Sequence, residues 1–389
     1  MPVINSIAAL EDEMTAWRRD FHMHPELAYQ EERTSRIVAE KLKSWGIEVK
    51  TGLGKTGVVG VIKGTGDGPS IGLRADMDAL PINEMNEVEW KSQNQGVMHA
   101  CGHDGHTTML LGAAKYLAET RNFAGTVHVI FQPAEEGFAG AKAMIDDGLF
   151  EDFPCDQVYG LHNWPAMPAG QVAAVPGPIM AAADKFVIKV KGKGAHGAMP
   201  HNGVDPIVIG SQIVTALQSL VSRSKDPIET AVISTTMFHA GAAFNVIPEE
   251  AELSGTVRTF NPKVQEIVEA GMKRIAEGIS AAMGGTADVD YRRGYPATIN
   301  HKREADMAAA VAASIVGPEN VRRDVDPTMG AEDFAFMLNE KPGCYLWLGQ
   351  GGGSSTENVH HPQYDFNDKV LPIGASVLAK LVEDLQPRG

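Results

Sequence analysis

Cysteine is scarce in this sequence: only three occur in 389 residues, at scattered positions. An odd, scattered set cannot build a disulfide framework, and the length leaves ample room for hydrophobic cores instead. Long apolar runs are absent too, since none approaches the ~18 residues that indicate a membrane span. The first residues also lack the cationic segment of a signal peptide. These absences predict a protein with no membrane partner, for which the cytoplasm is the expected compartment.

Positive charge is also in short supply. Lys and Arg number 34 against 49 Asp and Glu, which gives a net charge of −15 with no basic cluster to offset it. Binding to a phosphate backbone requires a cationic surface, so the composition argues against a nucleic-acid partner. The length predicts two domains or one elaborated domain.

What is present begins with short apolar runs, each followed by a loop. Four of these runs predict strands: Val58–Ile62, Ser70–Leu73, Thr126–Phe131 and Gln157–Leu161. Metal-binding side chains lie just beyond three of them: Asp76 and Asp78, Glu135 and Glu136, and His162. Ligands of open α/β sheets bind beyond the carboxyl ends of the strands. The pattern therefore predicts an α/β domain with one site at its sheet edge.

Between about residues 184 and 294 the pattern changes. Lys185–Lys191 alternates in polarity as a half-buried strand does, and Asp205-Pro206 is typical of a helix start. Later runs predict two more strands, a helix and a last strand: Glu229–Phe238, Ala251–Phe260, Pro262–Met283 and Thr286–Arg292. The β-α-β-β-α-β order is the ferredoxin-like split pattern. We therefore predict a compact α+β domain over 184–294, inserted into a discontinuous domain of residues 1–183 and 295–389.

One segment is dense in metal-binding residue types: Met98-His99-Ala100-Cys101-Gly102-His103-Asp104-Gly105-His106. Cys, His and Asp all bind divalent ions, and glycines let a backbone fold tightly around one. Cys101 and His103, one residue apart, could face one pair of ions. The alternative is a thiol buried as a small hydrophobe among surface histidines, which is disfavoured by so many ligand types in so short a segment.

Carboxylates at the strand ends suggest a division of labour. Adjacent side chains in a loop can diverge, so one of Glu135 and Glu136 could bind a cation while the other faces a reacting water. Taken alone, such a pair is usually solvated surface. Asp76 and Asp78 point the same way in an extended segment, or belong to an Asp-rich turn. His162 is either a ligand or a hydrogen-bonded core histidine.

One glycine pattern is a false signal. The segment Gly192-Lys193-Gly194-Ala195-His196-Gly197 fits G-x-G-x-x-G and follows a predicted strand. A dinucleotide-binding helix must begin at once, but Pro200 and a polar loop intervene. A dinucleotide-dependent oxidoreductase is therefore disfavoured.

Motifs along nearly the whole chain carry a family resemblance. They lie at residues 18–26, 73–81, 98–106, 133–137, 160–164, 194–197, 245–248, 330–334 and 360–362. Together they resemble the M20 family of metallopeptidases, specifically its amidohydrolase branch of hippurate hydrolases, bacterial N-acyl-amino-acid amidohydrolases and plant auxin-conjugate hydrolases. The resemblance implies a zinc-peptidase-like catalytic domain with a mixed central sheet flanked by helices. It also makes the ferredoxin-like insert a lid and dimerisation domain, in a homodimer or higher homo-oligomer.

The same resemblance implies a metal site. Motif alignment favours His360 over the adjacent His361 as a ligand. The implied ligands are Cys101, His103, Glu136, His162 and His360. Such a mixed set is compatible with Zn, Mn, Co or Ni, and two divalent ions are expected per subunit.

Other roles also follow from the resemblance. Glu135 is the implied general base, and Asp78 is favoured as active-site support. Asp76 stands where other members carry a ligand histidine, and its role is open. In the insert, His196 would reach the partner subunit's site.

Two further insert residues, Asn245 and Arg258, match lid positions near the substrate carboxylate. We therefore hypothesise metal-dependent hydrolysis of the amide bond of a small N-acyl amino acid, which releases a carboxylic acid and a free amino acid. The alternative is a dipeptidase or aminopeptidase on the same scaffold, which would need a carboxylate to hold a free α-ammonium group. A metal-bound interaction protein with an inactive site is the rival from another class, and the intact Glu135 disfavours it.

Overall fold

A computed structural model describes residues 3–351 and 357–388 of the chain. The chain divides into two compact units. The first comprises Met1–Gly177, Ile299–Asp326 and Asp333–Gly389, and the second comprises Pro178–Thr298 and Pro327–Glu332. The short segment 327–332 joins the second unit because Thr328 exchanges backbone hydrogen bonds with Ile179 and Ala181.

The secondary structure follows the chain as given next. The α-helices are α1 (Asn5–Ala8), α2 (Glu11–Met23), α3 (Glu32–Ser44), α4 (His103–Thr120), α5 (Glu135–Phe138), α6 (Gly140–Asp146), α7 (Leu149–Asp152), α8 (Pro206–Ser219), α9 (Pro262–Ala282), α10 (Lys302–Val316), α11 (Phe334–Glu340) and α12 (Leu371–Leu385). The strands are β1 (Glu48–Leu53), β2 (Gly57–Lys63), β3 (Ser70–Asp76), β4 (Thr126–Gln132), β5 (Gln157–Pro168), β6 (Val172–Ala173), β7 (Gly177–Met180), β8 (Ala182–Lys191), β9 (Ala195–His196), β10 (Ala231–Ala240), β11 (Val246–Ile247), β12 (Glu250–Thr259), β13 (Thr286–Tyr295), β14 (Thr298–Asn300), β15 (Val321–Arg322) and β16 (Gly343–Gly351). None of the helices in the described ranges combines the length and the apolar character needed to cross a membrane.

A mixed sheet forms the centre of the first unit, in the order β1-β2-β4-β3-β5-β16-β6-β15. Strands β4, β3, β5 and β16 run parallel to their neighbours, whereas β1 and β2 are antiparallel. Leu73, Val129 and Leu346 are fully buried on these parallel strands, as expected when helices cover a sheet. The apolar faces of α2, α4 and α12 belong to the same core. This confirms the predicted mixed central sheet flanked by helices.

Two strands of this sheet are longer than predicted. Strand β3 includes Asp76 and strand β5 includes His162, so neither side chain lies beyond a strand end. Strand β5 continues because β16 pairs with it in parallel, with Trp347 opposite His162. The local pattern around residue 162 cannot show a partner strand so far along the chain.

The second unit has the predicted β-α-β-β-α-β order, formed by β8, α8, β10, β12, α9 and β13. Its antiparallel sheet has the order β10-β12-β8-β13, which matches the split arrangement. Asp205 caps α8 by accepting the N–H groups of Ile207 and Val208. The false glycine signal leads into the short strand β9 instead of a helix.

Candidate metal centre

Parallel strand pairing brings the predicted side chains to one edge of the sheet. Arg74 on β3 pairs with Gly160 on β5, so Asp76 and His162 each lie two residues beyond that pair. Glu135 begins α5 just after β4, the other neighbour of β3. Carboxylate and imidazole groups from three adjacent strands therefore meet, as the sequence predicted, although two of them lie within the strands.

The ligand-type atoms at this edge lie close together. In each of four sets, all of these atoms are within 4.8 Å of one another: Cys101, His103 and His162; Cys101, Glu136 and His360; His103, Glu135 and Glu136; and Asp76, His103 and His106. The first three sets overlap through Cys101, His103 and Glu136. We call Cys101, His103, Glu136, His162 and His360 the donor cluster. The structure thus brings together all of the predicted ligands.

His162 is held in the form that binds a metal. Its Nδ1 donates to the backbone oxygen of Asn163 at 2.7 Å, which leaves the Nε2 lone pair free to face Cys101 Sγ at 3.5 Å. Burial lowers the pKa of His162 well below its usual value, so the ring is neutral. Burial, with Glu136 and Glu135 nearby, raises the pKa of the Cys101 thiol. A coordinating cation deprotonates such a thiol, so metal binding at this site releases protons.

His103 is oriented by Asp78. The two are 3.3 Å apart between Nδ1 and Oδ1, the carboxylate–histidine arrangement that fixes a metal-binding ring. Its Nε2 is buried with no hydrogen-bond partner among the described residues, and it faces Glu136 Oε1 at 4.0 Å. Burial lowers the pKa of His103, but Asp76 and Asp78 outweigh it and raise the value to about 10. A cation in this position would replace the proton.

The two adjacent glutamates are fixed by one carboxylate. Asp78 accepts the backbone N–H of Glu135 at 3.0 Å and that of Glu136 at 2.9 Å. Glu136 Oε1 lies 3.1 Å from His360 Nε2. His361 instead approaches Glu357, at 3.8 Å. The geometry therefore brings His360, and not His361, to the donor cluster.

Negative charge accumulates around the donor cluster. The carboxylates of Asp76, Asp78, Glu135 and Glu136 adjoin it, and Glu136 Oε1 is buried without a hydrogen-bond partner among the described residues. A buried charge is costly unless it is paired or binds a metal. The excess of carboxylate and the orphaned polar atoms both fit divalent cations.

Asp76 is engaged by other protein groups. Its Oδ2 accepts from Arg74 at 2.7 Å, and its Oδ1 lies 2.6 Å from His106 Nδ1. Burial would raise the pKa of Asp76, but Arg74 and His103 lower it well below its usual value. With both oxygens occupied, Asp76 is placed to support the site and not to bind an ion.

Sequence reasoning missed two residues that shape the site. His106 connects Asp76 to Asn163, since its Nε2 lies 2.6 Å from Asn163 Oδ1. Its signal was the three-residue spacing from His103, which places both rings on one face of α4. Gly102 has φ +93°, and a Cβ there would lie 2.4 Å from Asn163 Oδ1. Only glycine fits this turn.

The remaining predicted residues lie in the second unit. His196 is exposed on β9 and pairs with Val246 on β11, directly after the exposed Asn245. Arg258 on β12 is half-buried, and burial lowers its pKa. Their contribution to the site stays a prediction.

Comparison with known proteins agrees with this geometry. Residues 72–384 match the sequence pattern of Peptidase family M20/M25/M40. A hippurate hydrolase of Campylobacter jejuni is 43% identical over 98% of this chain and 98% of its own. An N-acetylcysteine deacetylase of Bacillus subtilis is 41% identical, with 94% of each chain covered. The crystal structure of a dinuclear metal-binding M20 peptidase of Bacillus subtilis has a TM-score of 0.86 and 36% identity, with 97% of this chain and 99% of that one covered.

Proposed function

The chain belongs to peptidase family M20/M25/M40, and we propose that it hydrolyses the amide bond of N-acyl amino acids. The products are a carboxylic acid and a free amino acid. Relatives named hippurate hydrolase and N-acetylcysteine deacetylase support this substrate class, because both names describe N-acylated amino acids. Their similarity extends over nearly the whole chain.

One observation carries the proposal: Asp78 fixes both Glu135 and Glu136 beside the donor cluster. Adjacent carboxylates are thereby given different tasks, one as a ligand and one as a base. Two divalent ions, Zn, Mn, Co or Ni, would polarise the amide carbonyl and acidify the attacking water. The residues that would hold them are Cys101, His103, Glu136, His162 and His360.

Glu135 is the proposed general base. Its side chain is buried, and its Oε1 accepts the backbone N–H of Asp333 at 3.4 Å. It takes a proton from the attacking water and returns it to the departing amine, the usual work of a general acid–base group.

Residues of the second unit complete the proposal. Arg258 would pair with the substrate carboxylate in a fork geometry, and Asn245 would lie beside it. His196, contributed by the other subunit of a homodimer, would steady the developing oxyanion. The exposed positions of His196 and Asn245 and the half-buried position of Arg258 leave these side chains accessible to a ligand.

The test compares Glu135→Gln with Glu119→Gln, a matched change at an exposed position on α4. Each protein is reconstituted with one metal at a time and assayed on N-benzoylglycine, N-acetylmethionine and a free dipeptide. We expect wild type and Glu119→Gln to cleave an N-acyl substrate. Glu135→Gln should lose about 10²- to 10⁴-fold in kcat with normal metal content. Undiminished kcat in Glu135→Gln would remove it from the mechanism, and a preference for the dipeptide would indicate a peptidase.

A further inference from the structure

The loop that carries Glu135 and Glu136 has an unusual backbone. Ala134, Gly137 and Ala139 have φ values of +54°, +85° and +56°. This left-handed region is unfavourable for residues with a side chain. The two alanines therefore depend on contacts from outside the loop to keep their conformation.

One such contact comes from Glu31, at the start of α3. The side chain of Glu31 is fully buried. Its Oε1 accepts the backbone N–H of Ala134 at 2.9 Å and that of Tyr29 at 3.0 Å. Its Oε2 accepts the hydroxyl of Thr56 at 2.6 Å. Both carboxylate oxygens are thus bound, and one of them holds the residue directly before Glu135.

We infer that Glu31 is a positioning residue, which fixes the loop so that Glu135 and Glu136 face the donor cluster. Glu31 holds the N–H of Ala134, and Asp78 holds the next two, so two carboxylates clamp three successive amides. Glu31 touches no metal-ligand side chain and acts only through the backbone. The inference rests on the proposed role of Glu135 as the base.

The shape of this contact separates charge from geometry. Burial and the nearby Asp78 raise the pKa of Glu31 to about 7. The amide of a glutamine can satisfy the same partners: its oxygen accepts from Ala134 and Tyr29, and its NH₂ donates to the Thr56 hydroxyl. Glu31→Gln therefore keeps the clamp without the charge, whereas Glu31→Ala removes the clamp.

The control for these variants is Glu26→Ala. Glu26 accepts the N–H groups of Arg33 and Thr34 at 2.9 and 2.8 Å. Removing it therefore loosens the start of the same helix, α3, without touching the bond to Ala134. Any effect that arises only from a weaker helix start will appear in Glu26→Ala as well.

Two measurements test the inference. Glu31→Ala should lower kcat on the order of 100-fold with little change in KM, because a small displacement of a catalytic group has that effect. Glu31→Gln should recover most of the loss. Amide hydrogen exchange of residues 133–139 should be faster in Glu31→Ala than in Glu31→Gln or Glu26→Ala, and this measurement needs no substrate.

Equal kcat in Glu31→Ala and Glu26→Ala, or unchanged exchange in the loop, would overturn the inference. Should wild type cleave no N-acyl amino acid, the proposed function fails and the exchange data still decide the role of Glu31. If Glu31→Ala does not fold, Thr56→Val replaces it, since it removes one donor to Glu31. Faster exchange in the loop of Thr56→Val supports the clamp, and unchanged exchange contradicts it.

Discussion

The first turn of α4 separates two buried polar regions of the same unit. His103 and His106 face the donor cluster, whereas Asp104, between them, contacts His22 at 2.8 Å and Arg18 at 3.7 Å. We call the second region the ionic network. Its members are Arg18, His22, Glu84, Asp104, Asp365 and Asp368.

The two regions differ in how their charges are compensated. In the ionic network every carboxylate lies within 4 Å of a cationic side chain: His22 contacts Glu84 at 3.2 Å, and Arg18 contacts Asp365 at 3.3 Å and Asp368 at 2.6 Å. In the donor cluster, buried polar atoms of the predicted ligands lack a hydrogen-bond partner among the described residues. Similar burial therefore serves two ends. The network stabilises the fold, and the cluster is arranged for cations.

The largest effect is expected from Glu136→Gln, which removes a charged ligand from the donor cluster. Bound metal should fall, and kcat/KM should fall on the order of 1,000-fold, because a catalytic metal contributes several kcal/mol to the transition state. The unfolding free energy of the metal-free protein should not fall, since one of several crowded carboxylates is removed. Metal content after dialysis, kcat/KM and urea unfolding measure these three quantities. A metal-free variant much less stable than wild type would contradict the contrast between the regions.

The opposite pattern is expected from Arg18→Met, in the ionic network. This change leaves Asp104, Asp365 and Asp368 without their shared, fully buried partner. Breaking a buried ion pair from one side typically costs about 3–5 kcal/mol, and urea unfolding of the metal-free protein should show a loss of that size. The kcat per folded molecule should change far less than in Glu136→Gln. A loss of activity without a loss of stability would place Arg18 in the site.

The donor cluster could be predicted from the sequence and the ionic network could not. Cys101 and His103 share one short segment whose residue types indicate metals. Arg18 appeared only as part of a motif in a helix with an apolar face. A charged residue is rarely fully buried, and its partner Asp365 lies at the other end of the chain.

The fold shows the same limit. Local patterns gave the order of strands and helices, because periodicity and turn residues report on neighbours in the sequence. They did not give the length of β5, which depends on pairing with β16. Nor did they reveal that Glu31 reaches Ala134. Contacts between distant segments decide these features.

A pH dependence of stability is expected from His22. Burial lowers its pKa, but hydrogen bonds to Asp104 and Glu84 outweigh burial and raise it from 6.5 to about 9. The folded state thus binds the proton more tightly, so its stabilisation is complete below pH 6.5 and is lost as the pH rises through 9. The difference in unfolding free energy between wild type and His22→Gln should shrink by about 3 kcal/mol over that range. A difference that grows with pH would show that His22 is buried as the neutral ring.

The smallest effect is expected from Arg19→Met, the matched partner of Arg18→Met. Both arginines bind Asp368 through Nε, at 2.6 Å for Arg18 and 2.9 Å for Arg19. The side chain of Arg19 is 36% exposed, whereas that of Arg18 is fully buried, and the Arg19 guanidinium lies 3.5 Å from the Trp90 ring centroid. Methionine retains most of the aliphatic stem, and an exposed ion pair contributes little, so the unfolding free energy should fall by less than about 1 kcal/mol. Equal losses from the two substitutions would mean that the shared carboxylate, and not burial, sets the strength of the network.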